Sequence, residues 1–157
     1  MNYLTVIREE SDRFRRAMLA TSASAQVPTC PDWNADDLLW HLAEVQWFWG
    51  QIVLRGLTSA DEVEGLSPER PDERAELVTF FDRANEDLVR GLSNADPAAA
   101  AWTWAPEQSV GFILRRQAHE ALIHRLDAEL TAGASTPIDA DLAADGVDEA
   151  LRIMYGG

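Results

Sequence analysis

The sequence predicts an all-α protein, a four-helix bundle with a short additional helix at its C-terminus. Apolar residues recur at spacings of three, four and seven in four long segments, the pattern of helices that bury one stripe. No segment alternates with the period of two that a half-buried strand requires. Proline and glycine fall between the periodic segments, where helices must stop.

The first helix is expected from residue 3 to about 21, with Leu4, Ile7, Phe14 and Met18 on its buried side. A loop with Pro28, Cys30 and Pro31 follows. Asn34 is a good N-cap, and Asp36 and Asp37 place negative charge in the first turn beyond it. The second helix then runs to about Arg55, burying Leu38, Leu42, Val45, Trp49 and Ile52, until Gly56 ends it. A connection of more than ten residues leads to Ser67-Pro68-Glu69-Arg70-Pro71, which opens a third helix carrying Leu77, Phe81, Ala84 and Leu88. After a loop with Trp102, Trp104 and Pro106, a fourth helix is expected from about Ser109 to Thr131, and a short fifth over about 148–154.

The bulk properties narrow the function classes. At 157 residues, 46% hydrophobic and 25% charged, the chain has the size and composition of one ordinary globular domain. A net charge of -14 would repel phosphate backbones, which argues against nucleic acid as a partner. The chain has no apolar run long enough to span a bilayer, and its first residues have no secretory pattern, so a cytoplasmic location is the expectation. The single Cys30 agrees with a reducing compartment and reads as a packed loop thiol.

Chemistry is concentrated on the fourth helix. At about 100° per residue, Arg116, Glu120, His124 and Asp127 fall within an arc of roughly 80°. Ile113 and Ile123 lie within or beside that arc, whereas Arg125 and Glu129 fall on the opposite side, where a solvated face is expected. The polar stripe therefore faces inward, where a carboxylate four residues from an imidazole needs a compensating partner. Glu120-x-x-x-His124 supplies two metal ligands from consecutive turns, and His41, at the flank of the second helix's apolar stripe, can supply a third. Such a His2Glu set leaves one position open, as in catalytic zinc sites, although nickel, cobalt or iron would also be accepted. The same residues also fit a helix salt bridge without any metal. Arg116 reads either as an ion-pair residue or an anion anchor, and Asp127 as an ion-pair residue or a group that orients a ligand. His119 reads as a core-edge or surface histidine.

The segments Val27-Pro28-Thr29-Cys30-Pro31-Asp32-Trp33, Asp37-Leu38-Leu39-Trp40-His41-Leu42-Ala43-Glu44-Val45 and Leu114 through Ala128, with a weaker match over Leu142 through Glu149, together resemble the mycothiol-dependent maleylpyruvate isomerase family. The resemblance implies a fold similar to DinB/YfiT bundles and a divalent metal, usually zinc, on His41, Glu120 and His124. It implies a low-molecular-weight thiol, mycothiol or a similar one, as cosubstrate. The thiolate would attack an electrophilic small molecule, either adding reversibly to isomerise a cis double bond or staying attached in a transferase. The isomerase continues into a second domain, whereas this sequence ends at Gly157, so the expectation is either a single-domain member, one metal-binding domain over residues 1–157, or a piece of a longer protein, and maleylpyruvate as substrate is left open. Arg115 and Arg116 would replace the missing carboxylate recognition only in part. A homodimer is compatible with this reading, and a non-catalytic metal-binding bundle, an interaction or sensor module, is its alternative.

Overall fold

The computed structural model describes residues 1–156. Four long helices, α1 (Tyr3–Leu19), α2 (Ala35–Arg55), α4 (Arg74–Asn94) and α5 (Val110–Thr131), form the bundle. A short α3 (Ala60–Glu64) lies in the connection between α2 and α4, and α6 (Ala140–Glu149) continues into a π-helical turn, Ala150–Met154. Between α1 and α2 a small antiparallel hairpin pairs β1 (Gln26–Val27) with β2 (Cys30–Asn34). No helix among the described residues is long and apolar enough to cross a membrane.

The core divides into two apolar clusters whose membership fixes the helix directions. One gathers Ile7 of α1, Trp49 and Ile52 of α2, Leu88 and Leu92 of α4, and Ile113 of α5. The other gathers Phe14 and Met18, Leu38 and Leu42, Leu77 and Phe81, and Ala128 from the same four helices. Following each helix from cluster to cluster, α1 and α5 run one way and α2 and α4 the other. The parallel pair α2 and α4 explains the long connection, since a tight turn can join only antiparallel neighbours. Between the clusters lies a polar layer in which buried Gln46 donates to Ser11 Oγ at 2.8 Å and Asn85 donates to Gln46 at 3.1 Å.

Helix ends follow local chemistry. The Asn34 side chain accepts from the Asp37 amide at 2.9 Å, and the Asp37 carboxylate accepts from the Asn34 amide at 2.9 Å, a reciprocal capping box. Gly56 closes α2 in the left-handed conformation, φ 62°, that side chains disfavour. Ser109 caps α5 through the Phe112 amide.

Four sequence expectations are corrected. The residues around Cys30 form the hairpin instead of a plain loop. The third long helix begins at Arg74, because Pro68 and Pro71 hold the residues before them extended. Its start is pinned by the Arg74 guanidinium, which donates to the Met18 and Thr21 carbonyls at the end of α1 and pairs with Asp36. The C-terminal helix begins at Ala140, capped by Asp139, eight residues before the expected start at 148. At Gly146 a Cβ would stand 3.0 Å from His119 Nδ1, so the glycine lets α6 approach α5. Finally, Arg125 and Glu129 are buried, whereas Ile123 is half exposed; of the two readings of His119, its burial leaves the core-edge one.

The capping box gives a direct check. Asn34→Ala removes one side-chain acceptor and is expected to cost about 1 kcal/mol. In a chain of this size that lowers the thermal midpoint by roughly 2–4 °C in a circular-dichroism melt, while Asn34→Asp retains the wild-type value.

Candidate metal centre

The antiparallel packing of α2 on α5 sets His41 against Glu120 and His124. Glu120 Oε1 lies 3.1 Å from His124 Nε2 and 3.7 Å from His41 Nε2. One donor atom from each of the three residues lies within 4.8 Å of the others, and among the described residues no other group of three or more His, Cys, Asp or Glu does so. Bonds of about 2.1 Å in a tetrahedral arrangement place donors about 3.4 Å apart, so the two separations bracket the ideal value. Two imidazole nitrogens and a carboxylate oxygen form a donor set suited to zinc. The side chains are 32%, 21% and 12% exposed for His41, Glu120 and His124, so the centre is reachable from one side.

Each candidate ligand is held by a second contact. His124 Nδ1 donates to Asp127 Oδ2 at 2.9 Å, which fixes the ring and leaves Nε2 for an ion. Asp127 in turn accepts from the Thr29 hydroxyl at 2.6 Å. His41 packs between the Trp33 ring, centroids 4.9 Å apart, and the His124 ring at 4.7 Å. Glu120 Oε2 accepts from Arg116 at 3.1 Å, and Arg116 donates its other terminal nitrogen to Glu149 at 2.5 Å. Sequence reasoning assigned no role to Thr29, Trp33 or Glu149. The first two belong to the motif around Cys30, whose hairpin turns Thr29 onto Asp127 and Trp33 onto His41, while Cys30 packs against the apolar cluster that includes Phe14. Nothing in the spacing of Glu149 could have revealed its partner.

The electrostatics are those of a tightly coupled pair. Burial alone would raise the Glu120 carboxyl, but the His124 and His41 imidazoles and the Arg116 charge outweigh it and hold Glu120 well below the ordinary carboxylate range. Burial alone would lower His124, but hydrogen bonds to Asp127 and Glu120 and their charges outweigh it and lift the imidazole to about 9. Asp127, opposed by burial, is held low by His124 and Thr29. Without an ion, the His124 Nε2 proton bridges to Glu120.

His41 also forms a wall between two hollows. One, about 280 Å³, is lined by Glu44, Phe48 and Glu64, and the other, about 360 Å³, by Asp32, Trp33, Trp40, Glu44 and Arg70. Among the described residues Arg70 is the one cation on either wall, and it pairs with Asp37 at 2.6 Å. Arg115 is held by Asp145 and Asp148 at 3.0 and 2.9 Å. His119, away from the centre, faces Asp145 at 2.7 Å.

Residues 4–129 match the family model described as the mycothiol maleylpyruvate isomerase N-terminal domain, and the chain belongs to that family. No curated protein and no solved structure matches the chain.

Two measurements test this geometry. Because a metal needs the unprotonated Nε2, an entering ion must expel the proton that His124 holds up to about pH 9. At pH 7, calorimetry in buffers of different ionisation enthalpy should therefore register release of about one proton per ion from His124, and lowering the pH should weaken binding. No release would mean that His124 is neutral beforehand. Asp127→Ala, which frees the His124 ring, should weaken zinc binding roughly 10–100-fold in chelator competition.

Proposed function

We propose that this family member is an enzyme dependent on a divalent metal, zinc first, that transfers the sulfur of a low-molecular-weight thiol such as mycothiol to a neutral or cationic electrophile. The observation that carries the reading is the convergence of His41 and His124 Nε2 on one oxygen of Glu120. A bound divalent cation would supply the positive charge that keeps a coordinating thiol as its thiolate at neutral pH.

The protein's own groups do the rest. His41, Glu120 and His124 offer three donors and leave a fourth direction for the thiol. Arg116 and Asp127 keep Glu120 and His124 oriented, so no ligand must reorganise when the thiol arrives. The reaction then balances simply: the thiol sulfur bonds to the electrophilic carbon, the leaving group departs with its electron pair, and the thiol proton passes to solvent.

Charge favours S-transfer to a neutral or cationic molecule over isomerisation of a dicarboxylate such as maleylpyruvate. Asp32, Glu44 and Glu64 line the two hollows, and Arg70, Arg115 and Arg116 are each committed to protein carboxylates. A dianion would meet repulsion without a free guanidinium to receive it. The aromatic rings of Trp33, Trp40 and Phe48 suit a flat, uncharged partner. A cytoplasmic setting, where thiols stay reduced, suits the same chemistry.

The test combines composition with turnover. Untagged protein should carry close to one zinc per chain, and His41→Ala and His124→Ala should each lose it. Zinc-loaded protein incubated with mycothiol and a bromobimane should form the bimane thioether at least roughly tenfold faster than metal-free protein, and should leave maleylpyruvate unchanged. Conjugation no faster than with metal-free protein would assign the chain to a non-catalytic metal-binding module. Isomerised maleylpyruvate would overturn the charge argument.

A further inference from the structure

We propose that Glu149, on α6 and outside the residues matched by the family model, is a positioning residue for the metal ligand Glu120, acting through Arg116. The inference rests on the metal-binding reading above. Its starting point is that the two oxygens of Glu120 have different partners: Oε1 faces the imidazoles, while Oε2 accepts from Arg116 at 3.1 Å. Arg116 thereby leaves a single oxygen for the ion. A guanidinium beside a cation site is also a liability, because it repels the ion and draws charge from the ligand. Glu149 answers that liability: its Oε2 accepts from the other terminal nitrogen of Arg116 at 2.5 Å.

The burial of this pair argues that it does more than fasten a helix. The Glu149 side chain is 3% exposed and that of Arg116 10%, and Glu149 Oε1 and Arg116 Nε have no hydrogen-bond partner among the described residues. Burying a carboxylate is costly, and α6 has other anchors that need no such burial. Asp145 accepts from the Tyr3 hydroxyl at 2.9 Å and from Arg115 at 3.0 Å and faces His119 at 2.7 Å, while the more exposed Asp148 pairs with Arg115 at 2.9 Å. What only Glu149 supplies is a negative charge that fixes the Arg116 fork with one arm on α6 and one on Glu120. The C-terminal helix is in this way part of the metal centre without contributing a ligand.

Cobalt(II) is a probe that reports both affinity and coordination number through its visible absorption. The full chain, Glu149→Ala, Glu149→Gln, Asp148→Asn, Arg116→Ala and the Arg116→Ala/Glu149→Ala double variant are titrated with it, with folding checked by circular dichroism. Glu149→Ala, which frees Arg116 and with it Glu120 Oε2, is expected to weaken cobalt binding about tenfold and to dim the four-coordinate absorption as the carboxylate becomes bidentate. Glu149→Gln keeps an acceptor for Arg116 but not the charge, so it should restore the wild-type spectrum while still binding more weakly. Asp148→Asn should match the wild type in both respects. In the double variant, removing Glu149 should add no loss beyond that of Arg116→Ala. Wild-type affinity and spectrum in Glu149→Ala, or additive losses in the double variant, would overturn the proposal. Should Glu149→Ala fail to fold, unchanged affinity in Glu149→Gln would overturn it as well. If the wild-type chain itself takes up no cobalt, the metal-binding reading falls and this inference falls with it.

Discussion

The structure is organised around one carboxylate that cannot stand alone. Glu120 is mostly buried between α2 and α5, and each of its oxygens needs a positive or proton-bearing partner to offset the loss of water. In the structure those partners are the His124 proton on one side and Arg116 on the other. An ion shared with His41 and His124 would satisfy the first oxygen with greater charge density, and the second oxygen would keep its guanidinium. Metal binding would then exchange a proton for a cation without rebuilding the surroundings.

That requirement reaches through the fold. The hairpin before α2 sets Thr29 under Asp127 and Trp33 against His41, so one loop supports candidate ligands from both helices. The helix directions inferred from the two apolar clusters bring α2 and α5 together antiparallel, which opposes the N-terminal half of α2 to the C-terminal half of α5. A second polar cluster uses the same principle elsewhere on α5: Arg125, with no exposed surface, is held by Glu10 at 2.5 Å and Glu129 at 3.0 Å and also donates to the Thr136 carbonyl. Buried pairs of this kind contribute little net stability, but removing one partner leaves an uncompensated charge, so they fix the register of α1 against α5.

Much of this was legible in the sequence, for identifiable reasons. Asn34 and Gly56 bounded α2 correctly because capping and left-handed conformations depend on local chemistry alone. His41, Glu120 and His124 could be selected because an i, i+4 pair shares a helix face, and the resemblance of the surrounding segments to one family sharpened the choice. The orientation of α5 was harder to read. Assuming one solvated face placed Arg125 and Glu129 outside, yet α1 and the segment around Thr136 cover them, and Ile123 takes up surface in their place. A helix enclosed on several sides has no single stripe for periodicity to find. The hairpin and the Glu149 contact were hidden for a related reason: both depend on residues far apart in sequence, Thr29 with Asp127 and Glu149 with Arg116.

The central claim is that one divalent ion is shared by His41, Glu120 and His124 with a direction left for sulfur, and X-ray absorption at the zinc edge addresses it most directly. Zinc-loaded protein is predicted to show nitrogen and oxygen neighbours at about 2.0–2.1 Å with the outer-shell pattern of two imidazoles, and a sulfur neighbour at about 2.3 Å only after thiol is added. Sulfur already present before the thiol, or an all-oxygen shell without imidazole, would contradict the account.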